Sequence, residues 1–146
     1  APTAAGTYRS DWKLYRTNGV TFGVGASSAP FYVQIKVSSG TTAERITFAS
    51  GATVWAKQSS LTFPTRKEFL LRALAGQAMS VAIVSPKNVA NFAITGVTDG
   101  QPYKRLENED RFFTFMLTTT QDYLITVAIP SGAAQYVLSV AVSPLP

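Results

Sequence analysis

The chain has 146 residues, 46% of them hydrophobic and 14% charged, which suits a domain that buries a core without a disulfide or metal staple and argues against disorder. It contains no histidine and no cysteine. That excludes Ser-His-Asp and Cys-His catalysis, zinc or haem sites built on those residues, and thiol redox chemistry. Net charge is +5, but the thirteen Lys and Arg are scattered, with Arg66-Lys67 and Lys104-Arg105 the only doublets. Nucleic acid, which favours clustered cations, is therefore not an expected partner.

In chain order, the small-residue start Ala1-Pro2-Thr3 fits a terminus left by signal peptidase, so an extracellular or cell-surface location is expected. No apolar run reaches the ~18 residues a membrane helix requires. Residues 8–15, Asn18-Gly19 and residues 20–24 read as a hairpin closed by a tight turn. Tyr8, Trp12, Tyr15 and Phe22 crowd it, with Arg9, Lys13 and Arg16 interleaved. Phe31, Val33, Ile35 and Val37 alternate with polar partners, the period of a strand with one apolar face. Further strands are read at 46–48, 53–59, 79–84, 92–95, 103–105, 112–117, 123–129 and 136–142, separated by Gly-, Pro- and Ser-bearing turns. The segment 66–76 is rich in helix formers, yet its apolar residues run consecutively and it reads as a buried strand. The pattern is all-β, an antiparallel β-sandwich of jelly-roll or Ig-like type with an N-terminal β-hairpin extension.

Phe69-Leu70-Leu71-Arg72-Ala73-Leu74-Ala75-Gly76-Gln77-Ala78-Met79-Ser80-Val81 matches a strand, Ala-Gly-Gln turn and strand. Residues 117–127 and 135–140 match a terminal hairpin. On these segments residues 44–142 resemble the bacterial pre-peptidase C-terminal domain, a secreted β-sandwich module. The resemblance implies an accessory module with no catalytic residues of its own, occupying 44–146, preceded by a β extension over 1–43 that the family pattern does not explain. Its motifs are packing motifs, which speak to fold before function.

Few constellations carry chemistry. Glu107-Asn108-Glu109-Asp110 is flanked by Arg105 and Arg111, lacks EF-hand spacing, and reads as a solvated loop rather than a calcium site. Ser10 and Lys13 have the Ser-x-x-Lys spacing, but on a strand the two side chains face opposite ways. No cofactor or metal is expected, and no enzymatic activity.

The expected function is that of a self-associating structural subunit, a filament or surface layer, with residues 1–24 as the exchanged or docking element. A homo-oligomer or polymer is the expected partner state. The alternative is a carbohydrate-binding module that stacks a glycan on aromatic rings. Tyr8, Trp12, Tyr15, Phe22, Trp55 and Tyr103 are the candidate interface or stacking residues. Ser and Thr at 38–42 and 118–120 are candidate positions for O-linked sugars.

Overall fold

The computed structural model describes residues 6–37 and 43–144. Both chain ends, and the sugar positions expected at 38–42, lie outside the described residues. The chain divides into two compact units, Ala1–Gly40 and Thr41–Pro146.

The first unit holds four strands: β1 (Gly6–Trp12), β2 (Leu14–Tyr15), β3 (Thr21–Phe22) and β4 (Phe31–Val37). Strand β1 pairs antiparallel with β4, from Gly6 opposite Val37 to Trp12 opposite Phe31. This corrects the expected pairing of residues 8–15 with 20–24. Only Leu14 and Tyr15 pair there, with Phe22 and Thr21, across a loop that holds Gly19 at φ 86° and returns the Asn18 side chain to the Val20 amide. The reason is pattern length: β4 offers seven alternating positions to β1, whereas the second ladder closes after two.

The second unit is a β-sandwich of β5 (Glu44–Arg45), β6 (Val54–Thr62), β7 (Lys67–Ala73), β8 (Ala78–Val84), β9 (Asn91–Gly96), β10 (Pro102–Lys104), β11 (Phe112–Met116), β12 (Gln121–Ala128) and β13 (Ala133–Val142). One sheet runs β10-β9-β12-β7-β5 and the other β11-β8-β13-β6. Every pairing is antiparallel except that of β5 with β7. The segment rich in helix formers is indeed strand β7, because Phe69, Leu71 and Ala73 recur with period two and are buried. Residues 46–48, expected as a strand, carry no ladder of their own beyond Glu44–Arg45, although Ile46 is buried and donates its amide to Leu70.

The expected terminal hairpin is also corrected. Strands β12 and β13 do not pair: β12 lies between β7 and β9, and β13 between β6 and β8, so Pro130-Ser131-Gly132 crosses from one sheet to the other. Two strands that are both buried on one face and close in sequence satisfy each other across the core as well as beside each other. Their inward residues, Tyr123, Ile125 and Val127 against Tyr136, Leu138 and Val140, are fully or almost fully buried together with Phe69, Met79, Val81, Phe92 and Ile94. Each such side chain contributes on the order of 1.5–3 kcal/mol by leaving water.

The outward faces of the two sheets differ in charge. The five-stranded sheet carries Glu68, Arg72 and the Arg45–Asp122 ion pair at 2.9 Å. Strands β6, β8, β11 and β13 contain a single charged residue, Lys57, which reaches Glu44 at 2.6 Å. Their outward positions are instead Ala, Ser, Thr and Gln with exposed Val54, Val84, Phe112, Met116 and Val137.

Candidate protein-interaction surface

Strands β6, β8, β10 and β12 end, and β7, β9, β11 and β13 begin, at one end of the sandwich. Four connections meet there: 63–66, 85–90, 105–111 and 129–132. Between them lies a cavity of about 410 Å³ whose lining includes Phe63, Arg66, Leu106, Glu109, Arg111 and Ile129. Phe63 and Pro64, joined by a cis peptide bond, form its rim. The Phe63 amide is held by Gly132, and Phe63 still exposes 52% of its surface. A second hollow of about 390 Å³, lined by Gln58, Val84, Pro86, Tyr136 and Val137, joins this end to the uncharged outer face.

The loop 105–111 is fixed from beneath by a buried cation. Lys104 exposes 2% of its surface, yet among the described residues its ammonium has no carboxylate partner within ion-pair distance. It donates instead to Phe92 O at 2.8 Å, Asn108 O at 2.8 Å and Asn91 Oδ1 at 3.1 Å, and lies 4.3 Å from the Phe92 ring centroid. Burial pushes the amine below its ordinary range; Arg111 adds to this and Asp110 opposes it. Asn91 extends the anchor by donating to Leu106 O and Asn108 O. Above it, Arg111 donates to Asn88 O at 2.9 Å and to Glu109 O at 2.5 Å. A guanidinium held in this way presents a preorganised cationic edge beside the exposed Phe63, a pairing typical of protein-interface anchors.

The opposite end is rigid and polar. Asp99 accepts from the Gln101 amide, the Gln121 side chain and the Tyr103 hydroxyl, and these bonds, the Gln101 amide foremost, hold its carboxyl below the usual carboxylate range. Gly96 faces this network, and a methyl group there would fall on Asp99 Oδ1 and Gln121 Nε2.

The aromatic residues singled out in the sequence separate into two groups. Trp55 is half-buried with its ring edge-on to Phe69 at 5.5 Å. Tyr103 stacks on Phe115 at 4.8 Å, meets Tyr123 at 5.4 Å and bonds Asp99, so both rings pack against the core. In the first unit Tyr8 and Phe22 are half-buried, with Arg16 5.0 Å from the Phe22 ring centroid. Trp12 and Tyr15 expose 63% and 72% of their surface. Among the described residues no group of three or more acidic side chains is arranged to hold a metal ion. Sequence reasoning passed over Phe63, Arg66 and Arg111; the signal available was the Phe-Pro break followed at once by the Arg66-Lys67 doublet.

No family model matches the chain, and no curated protein matches it in sequence. Solved structures do. PliG of Aeromonas hydrophila, a periplasmic lysozyme inhibitor of g-type lysozyme, superposes with a TM-score of 0.60 at 26% identity, over 70% of this chain and 96% of that one. PliG of Salmonella Typhimurium gives 0.54 at 15% identity, and a mutant of the Escherichia coli protein 0.55 at 12%, each over 68% of this chain and 96% of the other. These two likenesses establish the fold alone. The β-sandwich expected from the strand rhythm stands, and the neighbours' periplasmic setting accords with a place outside the cytoplasm. No helix among the described residues is long and apolar enough to cross a membrane.

The comparisons overturn the expected function and partners. The neighbours are inhibitors directed at another protein, a lysozyme, and not filament subunits or carbohydrate-binding modules. The expectations of self-association, of a homo-oligomer or polymer, and of glycan stacking are corrected accordingly. The glycan-stacking expectation rested on aromatic side chains, and two of these, Trp55 and Tyr103, pack against the core.

Proposed function

We propose that the chain is a non-catalytic protein inhibitor of a g-type lysozyme, acting outside the cytoplasm, and that the loop end bearing Phe63, Arg66 and Arg111 meets the enzyme. The observation that carries this reading is the likeness to the Aeromonas hydrophila inhibitor over 96% of that protein's length. The share of this chain that is covered is close to that of the Thr41–Pro146 unit, the unit that forms a sandwich.

The chemistry of the target supports the choice of surface. Glycoside hydrolases set carboxyl groups across a cleft that binds the sugar chain. A protein that blocks such a cleft needs a projecting edge that excludes substrate, with donors that match carboxylates. Arginine does this by paired N–H bonds, and an exposed phenyl ring supplies desolvated area beside it. Loops 63–66 and 105–111 provide both on a strand-end scaffold that is already hydrogen-bonded, so little ordering cost remains at binding.

The test is titration of the purified chain into a g-type lysozyme clearing a suspension of bacterial cell walls, with complex formation followed by calorimetry. Stoichiometric loss of clearing, with a c-type lysozyme as the comparison enzyme, is the expected result. Undiminished clearing at a large molar excess of the chain, together with no heat of binding, would refute the reading.

A further inference from the structure

The first unit is built as an amphipathic ribbon. Residues opposite one another in an antiparallel pair share a face, so the β1–β4 register places Tyr8 with Ile35, Ser10 with Val33, and Trp12 with Phe31 on one side. Trp12, Phe31, Val33 and Ile35 are all exposed. The other side carries Thr7, Arg9, Asp11, Tyr32 and Gln34; there Arg9 bonds Asp11 at 2.7 Å and lies 4.3 Å from the Tyr32 ring centroid. Leu14, Tyr15, Val20 and Val24, elsewhere in the same unit, are also exposed. Over residues 6–37 the bases Arg9, Lys13, Arg16 and Lys36 stand against Asp11 alone.

We propose that this ribbon is a membrane-surface anchor that lays its apolar face into the headgroup region of an anionic bilayer. Three observations select this occupant. A two-stranded ribbon is marginal in water and needs its apolar face covered. That face is headed by Trp12 beside Phe31, and indole, apolar in its body with one N–H donor, settles at the membrane–water boundary. The excess of positive charge complements anionic headgroups, and a ribbon lying flat is thin enough to keep the cations of its far side within about one Debye length, ~10 Å, of them. The anchor is independent of the inhibitory reading: it concerns where the chain resides, and its test needs no lysozyme.

The full chain is to be sedimented with vesicles of phosphatidylcholine alone and with a quarter of phosphatidylglycerol. The expected result is binding to the anionic vesicles at least about tenfold tighter than to neutral ones, and weakening as salt is raised. Trp12→Ser is expected to reduce anionic binding about tenfold, and the double substitution Lys13→Gln with Arg16→Gln to do so while leaving the apolar face whole. Trp12→Phe keeps the ring and removes the fluorophore. It should retain sedimentation but lose the part of the tryptophan emission that brominated lipid quenches, since Trp55 is packed against Phe69. Near-UV circular dichroism confirms that each variant keeps its sandwich. No binding to either vesicle, equal binding to both, unchanged binding by Trp12→Ser, or sedimentation with purified peptidoglycan in place of lipid would each overturn the proposal.

Discussion

Replacing Lys104 by methionine tests whether a buried cation organises the loop end proposed to meet the enzyme. Methionine keeps the length and most of the volume of the side chain but removes three charge-assisted donations, to Phe92 O, Asn108 O and Asn91 Oδ1. Hydrogen bonds from a charged group contribute roughly 1.5–3 kcal/mol each, and a carbonyl left without its donor costs further. Against this stands the desolvation of the ammonium, which the substitution abolishes; burial is the main reason its pKa lies low. The net loss works out at about 2–4 kcal/mol, or on the order of 10–20 °C in Tm for a unit of this size.

Urea unfolding measures that loss, and the pH dependence gives it a signature. The folded pKa of Lys104 is lowered, so between it and the unfolded value near ~10.4 the unfolded chain binds more protons. Wild-type stability should therefore rise with pH across that window relative to the methionine variant. The same substitution should weaken lysozyme inhibition, because Asn108 loses the donation that ties its loop to β10 and keeps only the Asn91 side chain of β9. A variant within about 0.5 kcal/mol of wild type, or a difference that shrinks as pH rises, would refute the reasoning.

Three further outcomes follow from the sandwich. Arg66→Glu, which reverses a cationic side chain at the cavity rim, should weaken inhibition by about tenfold or more with Tm within about 2 °C of wild type, read by cell-wall clearing and calorimetry. Arg45→Gln removes the hydrogen bonds that hold the Asp122 carboxyl below its ordinary range. The stability that pair supplies is present above the unfolded carboxylate pKa and lost as pH falls through the lower folded one. The variant should accordingly begin acid unfolding at higher pH, with only a small loss of stability at neutrality because the pair is exposed. Tyr136→Phe removes a buried hydroxyl that makes no hydrogen bond of good geometry among the described residues, only a marginal contact with the Ser59 side chain opposite it, so urea unfolding should show stability unchanged or raised by up to about 1 kcal/mol.

The strand rhythm was legible because one face of each strand is buried, and burial imprints a period of two on residues such as Phe69, Leu71 and Ala73 or Tyr136, Leu138 and Val140. Which strands pair was not legible by the same means. Strand β12 and strand β13 have interchangeable inward patterns, and a Pro-Ser-Gly connection serves a hairpin or a sheet crossing equally well. Trp55 and Tyr103 misled for a related reason: an aromatic residue contributes the same letter whether it stacks in the core on Phe69 and Phe115 or stands in solvent like Trp12. Lys104 looked like half of a surface doublet, since its burial depends on three backbone and amide oxygens brought from two separate segments, 91–92 and the loop at Asn108.

The composition that supports the proposed protein partner lies in what the strands omit. Strands whose outward positions meet only water usually carry charge there, as β7 and β12 do with Glu68, Arg72 and Asp122. Strands β6, β8, β11 and β13 have one charged residue among them, Lys57, and it is committed to Glu44. The centres of protein interfaces are depleted of charge and enriched in aromatic residues, methionine and arginine. Phe112, Met116, Val84 and Val137 on that face, and Arg66 and Arg111 at its adjoining end, match that composition. The pattern of alternation fixes which side of a strand is inside. The kind of residue on the other side bears on what that side meets, and on this sandwich the two sheets differ in it: one outer face is charged, the other nearly free of charge.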